Sequence, residues 1–345
     1  MIKYLIHKEF LQIRRNGFLP RLIIMFPIMI MCIMPWVMNQ EVKNVRVEVV
    51  DIDRTTRSQQ LVHQIEASNY FIFNGLKPTY QDALKDIETS KADIILEIRN
   101  DQYLIAANAV NGTKGSIGSA YLSQIVSDNL LPLTSRPSPL FLYNKHLNYK
   151  VYMIPALFAI LLMLMTGFLP ALNIVGEKEK GTIEQINVTP VSKWSFILAK
   201  LIPYWLIALF LITVCLLLSW LIYGITCQGN LLFIYLLAML LALFFSSLGL
   251  IISNYSDTMQ QAIFVMWFFV VCMLLLSGLF TPTRSMPQLA YLTTYVNPMH
   301  YFIDAIRTVF VRGGTFQSII HQMVALAAIA SAMAIWAVKS YKKNN

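Results

Sequence analysis

Six long apolar runs alternate with polar stretches along this chain, at 22–38, 151–172, 197–223, 231–252, 262–280 and 323–338. A helix needs about 20 residues to cross the hydrocarbon core of a bilayer, so runs of this length read as membrane spans. The first and last are short for a perpendicular crossing and borrow flanking residues. Between the first two runs the pattern changes. Positions 45–53 alternate and are β-branched, the mark of a strand, and 55–68 carry Leu61, Val62 and Ile65 on one helical face. A short strand at 70–73 and a helix opening at Thr79 with Ala83, Leu84 and Ile87 come next. Two strands, 92–98 and 103–107, then flank the turn Arg99-Asn100-Asp101, and 116–131 reads as a further amphipathic helix. The order βαβαββα predicts a small α/β unit, large enough to hold its own core.

The expected fold class is an α-helical polytopic membrane protein of six transmembrane helices with an inserted extracytoplasmic α/β domain at 39–150. Residues 1–21 form a basic amphipathic helix on the cytoplasmic face, with Ile2, Leu5, Ile6, Phe10 and Ile13 set against Lys3, Lys8, Arg14 and Arg15. Residues 131–139, with Pro132, Pro137 and Pro139, form a stiff connector back to the membrane. The stretch 281–322 is too apolar for a free loop. Leu289, Leu292, Tyr295, Met299, Phe302, Ile303, Ile306 and Phe310 recur at helical spacing, Asn297-Pro298 is a helix start and Gly313-Gly314 the stop. Two short helices dipping into the outer leaflet are expected there, before the last span and a cytoplasmic tail at 339–345.

Composition agrees with this class. The chain is 57% hydrophobic and 13% charged over 345 residues, with a mean hydropathy of +0.57; a soluble domain carries about a quarter charged residues. The formal charge of +9 gathers before the first span, around 173–196 and after the last span. That places both termini and the 173–196 hinge on the cytoplasmic side of a bacterial inner membrane. The basic balance is topology, with no nucleic-acid footprint. The basic start is long and no small-residue cleavage site follows the first span, so an uncleaved anchor is expected.

The chemistry the chain lacks narrows the function. The interiors of the six runs hold no Asp, Glu, Lys, Arg or His, and Arg21, Glu177 and Lys200 sit at or near their ends. Proton- and ion-driven carriers hold and release charge within the membrane, so a secondary carrier is disfavoured. The stretch 176–182 has the glycine spacing of a phosphate loop, but Thr182 stands where its lysine belongs and acidic residues surround it. No catalytic group, cofactor site or metal site is expected on this chain. Cys32, Cys215, Cys227 and Cys272 show no metal or disulfide spacing.

The polar hinge 173–190 is the most informative segment. It combines alternating charge, Gly181 for a sharp turn, a capping box from Thr182 to Gln185, and the stop Thr189-Pro190. Those features predict a short, rigid cytoplasmic docking helix with Glu177, Glu179 and Glu184 projecting towards basic groups of a partner. With Glu177, Glu179, Gly181, Thr182, Glu184, Thr189 and Pro190 in these places, the chain resembles the ABC type-2 export permeases. The resemblance covers nearly the whole chain. It includes the opening Lys8-Glu9-Phe10-Leu11 with Arg14-Arg15, the large domain after the first span, and Asn297-Pro298, Tyr301 and Arg307 after the fifth.

The resemblance implies that the hinge is a coupling helix seated in a groove of a separate ATP-binding-cassette subunit, which holds the ATP and Mg. It further implies a second permease chain, as homo- or heterodimer, and admits a periplasmic adaptor. Asn297, Pro298, Tyr301 and Arg307 then belong to outer re-entrant helices. The expected function is outward export of an amphipathic, drug-like or lipid-like substrate. The alternative is a membrane-anchored envelope assembly protein without transport activity, which has no need of an ordered docking helix.

Overall fold

The computed structural model describes residues 2–37, 45–89, 91–100, 102–108, 112–130, 149–182, 192–280, 283 and 286–341. The chain divides into two compact units, Gln40–Phe141 and the combination of Met1–Asn39 with Leu142–Asn345. The proline-rich connector at 131–139 and most of the docking segment, 183–191, lie outside the described residues.

In the smaller unit the strands are β1 (Val45–Asp51), β2 (Phe71–Leu76), β3 (Ile94–Arg99) and β4 (Gln102–Ala107), arranged β2-β1-β3-β4. β1 pairs in parallel with both β2 and β3, while β4 returns antiparallel to β3. Alternation sorts the side chains into two layers. Val45, Val47, Val49, Ile94, Leu96 and Ile98 face Leu61, Val62, Ile65, Leu122 and Val126. These last belong to α3 (Thr56–Glu66) and α5 (Gly112–Leu130). The opposite face sets Val50 and Ile95 against Ala83 of α4 (Tyr80–Glu88). Thr55 and Thr79 cap α3 and α4, their hydroxyls accepting from the Ser58 and Asp82 amides. The βαβαββα order expected from the sequence is the order observed.

The larger unit contains α1 (Ile2–Arg15), α2 (Leu19–Val37), α6 (Tyr149–Met163), α7 (Leu169–Glu179), α8 (Lys193–Tyr223), α9 (Leu231–Tyr255) and α10 (Met259–Leu275). It is completed by α11 (Gln288–Thr294), α12 (Pro298–Arg312) and α13 (Phe316–Ser340). Five helical runs among the described residues are long and apolar enough to cross a membrane: Leu19–Val37, Tyr149–Glu179, Lys193–Tyr223, Leu231–Tyr255 and Phe316–Ser340. The expected fifth, 262–280, is carried by the 17-residue α10, shorter than these five. It stops at Leu275 because the Ser277 hydroxyl donates to the Leu274 carbonyl and Gly278 takes φ +83°, a left-handed turn suited to glycine. The last span begins earlier than the apolar run predicts, at Phe316.

The second span departs furthest from expectation. Its helix does not end at 172. A π-helical turn, Leu164–Phe168, joins α6 to α7, and the helix runs on to Glu179. Thr166 donates to the Leu162 carbonyl inside that turn, and Gly167 and Gly249 let α9 approach it. A Cβ on Gly249 would stand 2.5 Å from the Gly167 carbonyl oxygen. Elsewhere, Pro35 cannot donate to the carbonyl of Met31 four residues before it. Tyr223 of α8 donates its hydroxyl there instead, at 2.7 Å.

Candidate functional site

At the end of α7 three consecutive residues tie the helix to three other parts of the membrane unit. Glu177 meets α1 and α8: its Oε1 accepts from Lys8 Nζ at 2.8 Å, and its Oε2 lies 2.7 Å from Lys200 Nζ. Lys178 Nζ donates to the Ser256 carbonyl and to Asp257 Oδ1, each at 2.9 Å, across the corner between α9 and α10. Glu179 Oε1 accepts the Met259 amide at 2.6 Å, which sets a carboxylate on the positive end of α10. Lys180 and the left-handed Gly181 (φ +69°) then close the helix, and the Thr182 hydroxyl donates back to the Glu177 carbonyl.

Glu177 belongs to a buried cluster of two cations and two carboxylates. Lys200 Nζ is also 2.7 Å from Glu9 Oε1, and Lys8 Nζ donates to that oxygen at 3.2 Å. The two Lys200 contacts are ion pairs at angles outside hydrogen-bond geometry. Asn173 donates to Glu9 Oε2 (3.0 Å) and Tyr204 Oη (2.9 Å), and accepts from Gln12 at 3.1 Å. Glu9 and Lys200 are each 2% exposed and Glu177 5%, so each charge is kept by its partners. An isolated buried charge would be costly. Burial works to lower the Lys8 ammonium, but the hydrogen bond to Glu177 and the Glu9 and Glu177 carboxylates outweigh it and hold Lys8 above its ordinary value. A cavity of about 430 Å³ borders the cluster, lined in part by Lys8, Gln12, Asn173, Gly176 and Thr182.

The residues expected to couple therefore divide. Glu177 is turned inward, so it is not the projecting anchor expected of it; its carboxylate goes to Lys8 and Lys200. Glu179 is exposed yet committed to the first turn of α10. Gly181 makes the turn expected of it, and Thr182 uses its hydroxyl on Glu177. Glu184, Thr189 and Pro190, with the Gln185 half of the capping box, lie outside the described residues.

On the other helices, Asn297 accepts the Met299 amide as cap of α12 and donates to the Met273 carbonyl at the end of α10. Pro298 occupies the first helical position, and Tyr301 donates to the Tyr295 carbonyl at 2.9 Å. Arg307 donates to the carbonyls of Tyr152 (3.3 Å) and Gly278 (3.2 Å), with its guanidinium 3.5 Å from the centre of the Tyr152 ring. Asn297, Tyr301 and Arg307 bind α12 to α6, to the end of α11 and to the broken end of α10.

The sequence profile of the ABC-2 family transporter proteins matches residues 21–339, nearly the whole chain. The chain belongs to the ABC-2 family. Among ABC-2 relatives, the probable multidrug ABC transporter permease YbhR of Escherichia coli K12 is 26% identical over 95% of this chain and 94% of its own length. YbhS, of the same description and strain, is 25% identical over 76% of this chain and 70% of its own. The inner membrane transport permease YhhJ of the same strain is 22% identical over 81% and 75%. An ABC-2 transporter permease domain thus runs across the chain, in a multi-pass membrane protein.

Within this ABC-2 permease, sequence reasoning missed Glu9, Asn173, Lys200 and Tyr204. Lys200 was visible as a charge less than one turn into a long apolar run, and Glu9 as an acid among basic residues. A charge in such surroundings needs an opposite partner, and that is the signal that could have paired them.

Proposed function

We propose that this ABC-2 permease is the membrane subunit of an ATP-driven exporter, and that the end of α7 receives the force. The observation that carries the reading is the run Glu177-Lys178-Glu179, which fastens α7 to α1, to α8 and to both helices of the α9–α10 corner just before the segment 181–190. Whatever displaces that segment displaces four helices together. A coupling helix there, with Glu184, Thr189 and Pro190 among its contacts, would pass the closure of an ATP-binding subunit into the spans. ATP and Mg sit on that subunit, and this chain carries no catalytic group of its own. Two permease chains, alike or related, form the pathway.

In this arrangement α10 is the fifth of six spans, shortened because α11 and α12 complete the outer side as re-entrant helices around Asn297, Pro298, Tyr301 and Arg307. Both termini are cytoplasmic and the α/β unit is extracytoplasmic, as the charge distribution favours. The word multidrug in the printed names of YbhR and YbhS supports an amphipathic, drug-like or lipid-like cargo. The test is a mild-detergent pull-down of the tagged chain from its own membranes, paired with a transport assay of Glu179→Lys and Gly181→Pro. Recovery of a Walker-motif ATPase with wild type, and folded variants that no longer export, supports coupling. Normal export by either variant refutes it, and recovery of envelope proteins with no ATPase favours an assembly anchor.

A further inference from the structure

A second polar site lies away from the α7 corner, where α12 meets α13. A cavity of about 640 Å³ opens there, in a unit otherwise built of apolar helices. Its charged lining comes from successive turns of one helix face: Asp304, Arg307 and Arg312 on α12, with Gln322 of α13 opposite. Arg307 has five N–H donors and spends two on the Tyr152 and Gly278 carbonyls, while its Nη2 is buried without a partner. Gln322 donates to Asp304 Oδ2 at 2.7 Å, and its own Oε1 is likewise buried without a partner. Leaving such groups unsatisfied costs free energy. The lining of the cavity thus combines cationic donors with acceptors, and Arg307 and Gln322 each hold a buried atom without a partner. Asp304 and Arg307 are one turn apart, a spacing of about 5–6 Å between side chains on one helix face.

We propose that this cavity binds a phosphoethanolamine-type headgroup, with the phosphate on Arg307 and Arg312 and the ammonium on Asp304 and the Gln322 carbonyl. A dipolar headgroup matches the lining better than a simple anion, which would meet the Asp304 carboxylate, or a simple cation, which would meet two guanidiniums. The acceptors also discriminate chemically. A primary ammonium brings N–H donors to Gln322 Oε1, whereas the quaternary ammonium of phosphocholine brings none. This site is independent of the coupling reading, since none of its lining residues belongs to the charge cluster at the end of α7.

The test uses the full chain purified in dodecyl maltoside and isothermal titration with three probes: dihexanoyl-phosphatidylethanolamine, dihexanoyl-phosphatidylcholine and free phosphoethanolamine. The ethanolamine lipid is expected to bind about tenfold or more tightly than the choline lipid, the value of a hydrogen bond to a charged donor. Gln322→Met should abolish that preference, and Arg312→Gln, at an exposed position, should weaken the ethanolamine lipid about threefold. Neither variant touches the contacts that Arg307 makes to Tyr152 and Gly278, so both fold, as an unchanged unfolding temperature without ligand verifies. Free phosphoethanolamine binding as tightly as the lipid assigns the site to a water-borne headgroup. Binding of the lipid alone assigns it to a membrane amphiphile. Equal affinity for the two lipids, no heat with any probe, or Gln322→Met and Arg312→Gln without effect overturns the proposal.

Discussion

Replacing Lys200 by methionine tests the buried charge cluster directly. Methionine is unbranched like lysine and one atom shorter, so packing of the stem is largely conserved, but Glu9 and Glu177 lose the ammonium that stands 2.7 Å from each of them. Lys8 alone then faces two carboxylates, and it is the more exposed cation. Removing one partner of a buried ion pair costs about 3–5 kcal/mol, and here two buried carboxylates are left to share the single ammonium of Lys8. Lys200→Met should therefore unfold at a markedly lower temperature in detergent, followed by tryptophan fluorescence. Adding Glu177→Gln removes the excess charge and leaves Glu9 paired with Lys8. The double variant should recover about 2 kcal/mol of the loss, a coupling of the size found between residues in direct contact. A single variant as stable as wild type, or a double variant no better than the single, refutes the view that these charges hold each other.

Three further outcomes follow from other contacts. Tyr223→Phe strands the Met31 carbonyl and should cost about 1–3 kcal/mol, and Pro35→Ala in that background should restore part of it by returning an amide donor, read by the same melt. Gly249→Val drives a side chain towards the Gly167 carbonyl, where even a Cβ would stand at 2.5 Å; it should prevent a monodisperse gel-filtration peak, while Gly17→Ala, with open space around it, should not. In the α/β unit the hydrogen bond from Lys77 holds the Asp86 carboxyl below its ordinary value. A depressed carboxylate contributes stability above its unfolded pKa of about 3.8–3.9 that is lost as pH falls through the folded value. Asp86→Asn should therefore flatten the acid limb of hydrogen-exchange protection across β1 and β3, and an unchanged limb would count against the pairing.

The α/β unit was legible because its signals are local. A period of two separates Val45, Val47 and Val49 from Val50, and Thr55 and Thr79 announce the two helices they cap. The amphipathic α1 and the start of α12 at Asn297-Pro298 were readable for the same reason. The end of the second span was not. Asn173 to Glu179 looks like a loop when charge is weighed residue by residue, yet it continues as helix because its partners are remote. Glu177 meets Lys8, 169 residues earlier, and no local pattern records such a pairing. The length of the fifth run was hidden differently: the apolar run 262–280 is continuous in sequence, but the helix ends at Leu275, before Ser277 and Gly278.

The cluster at the end of α7 sums to zero, with Lys8 and Lys200 against Glu9 and Glu177. On a body that translates without turning, a membrane potential does work only on net charge, about 2.3 kcal/mol for each unit carried across 100 mV. Four charges that translate together as one neutral body take no net work from the field. Such a translation of this corner is therefore electrically silent and runs alike in energised and de-energised membranes. Lys200→Met would end that neutrality, leaving a body of one negative charge whose movement feels the field.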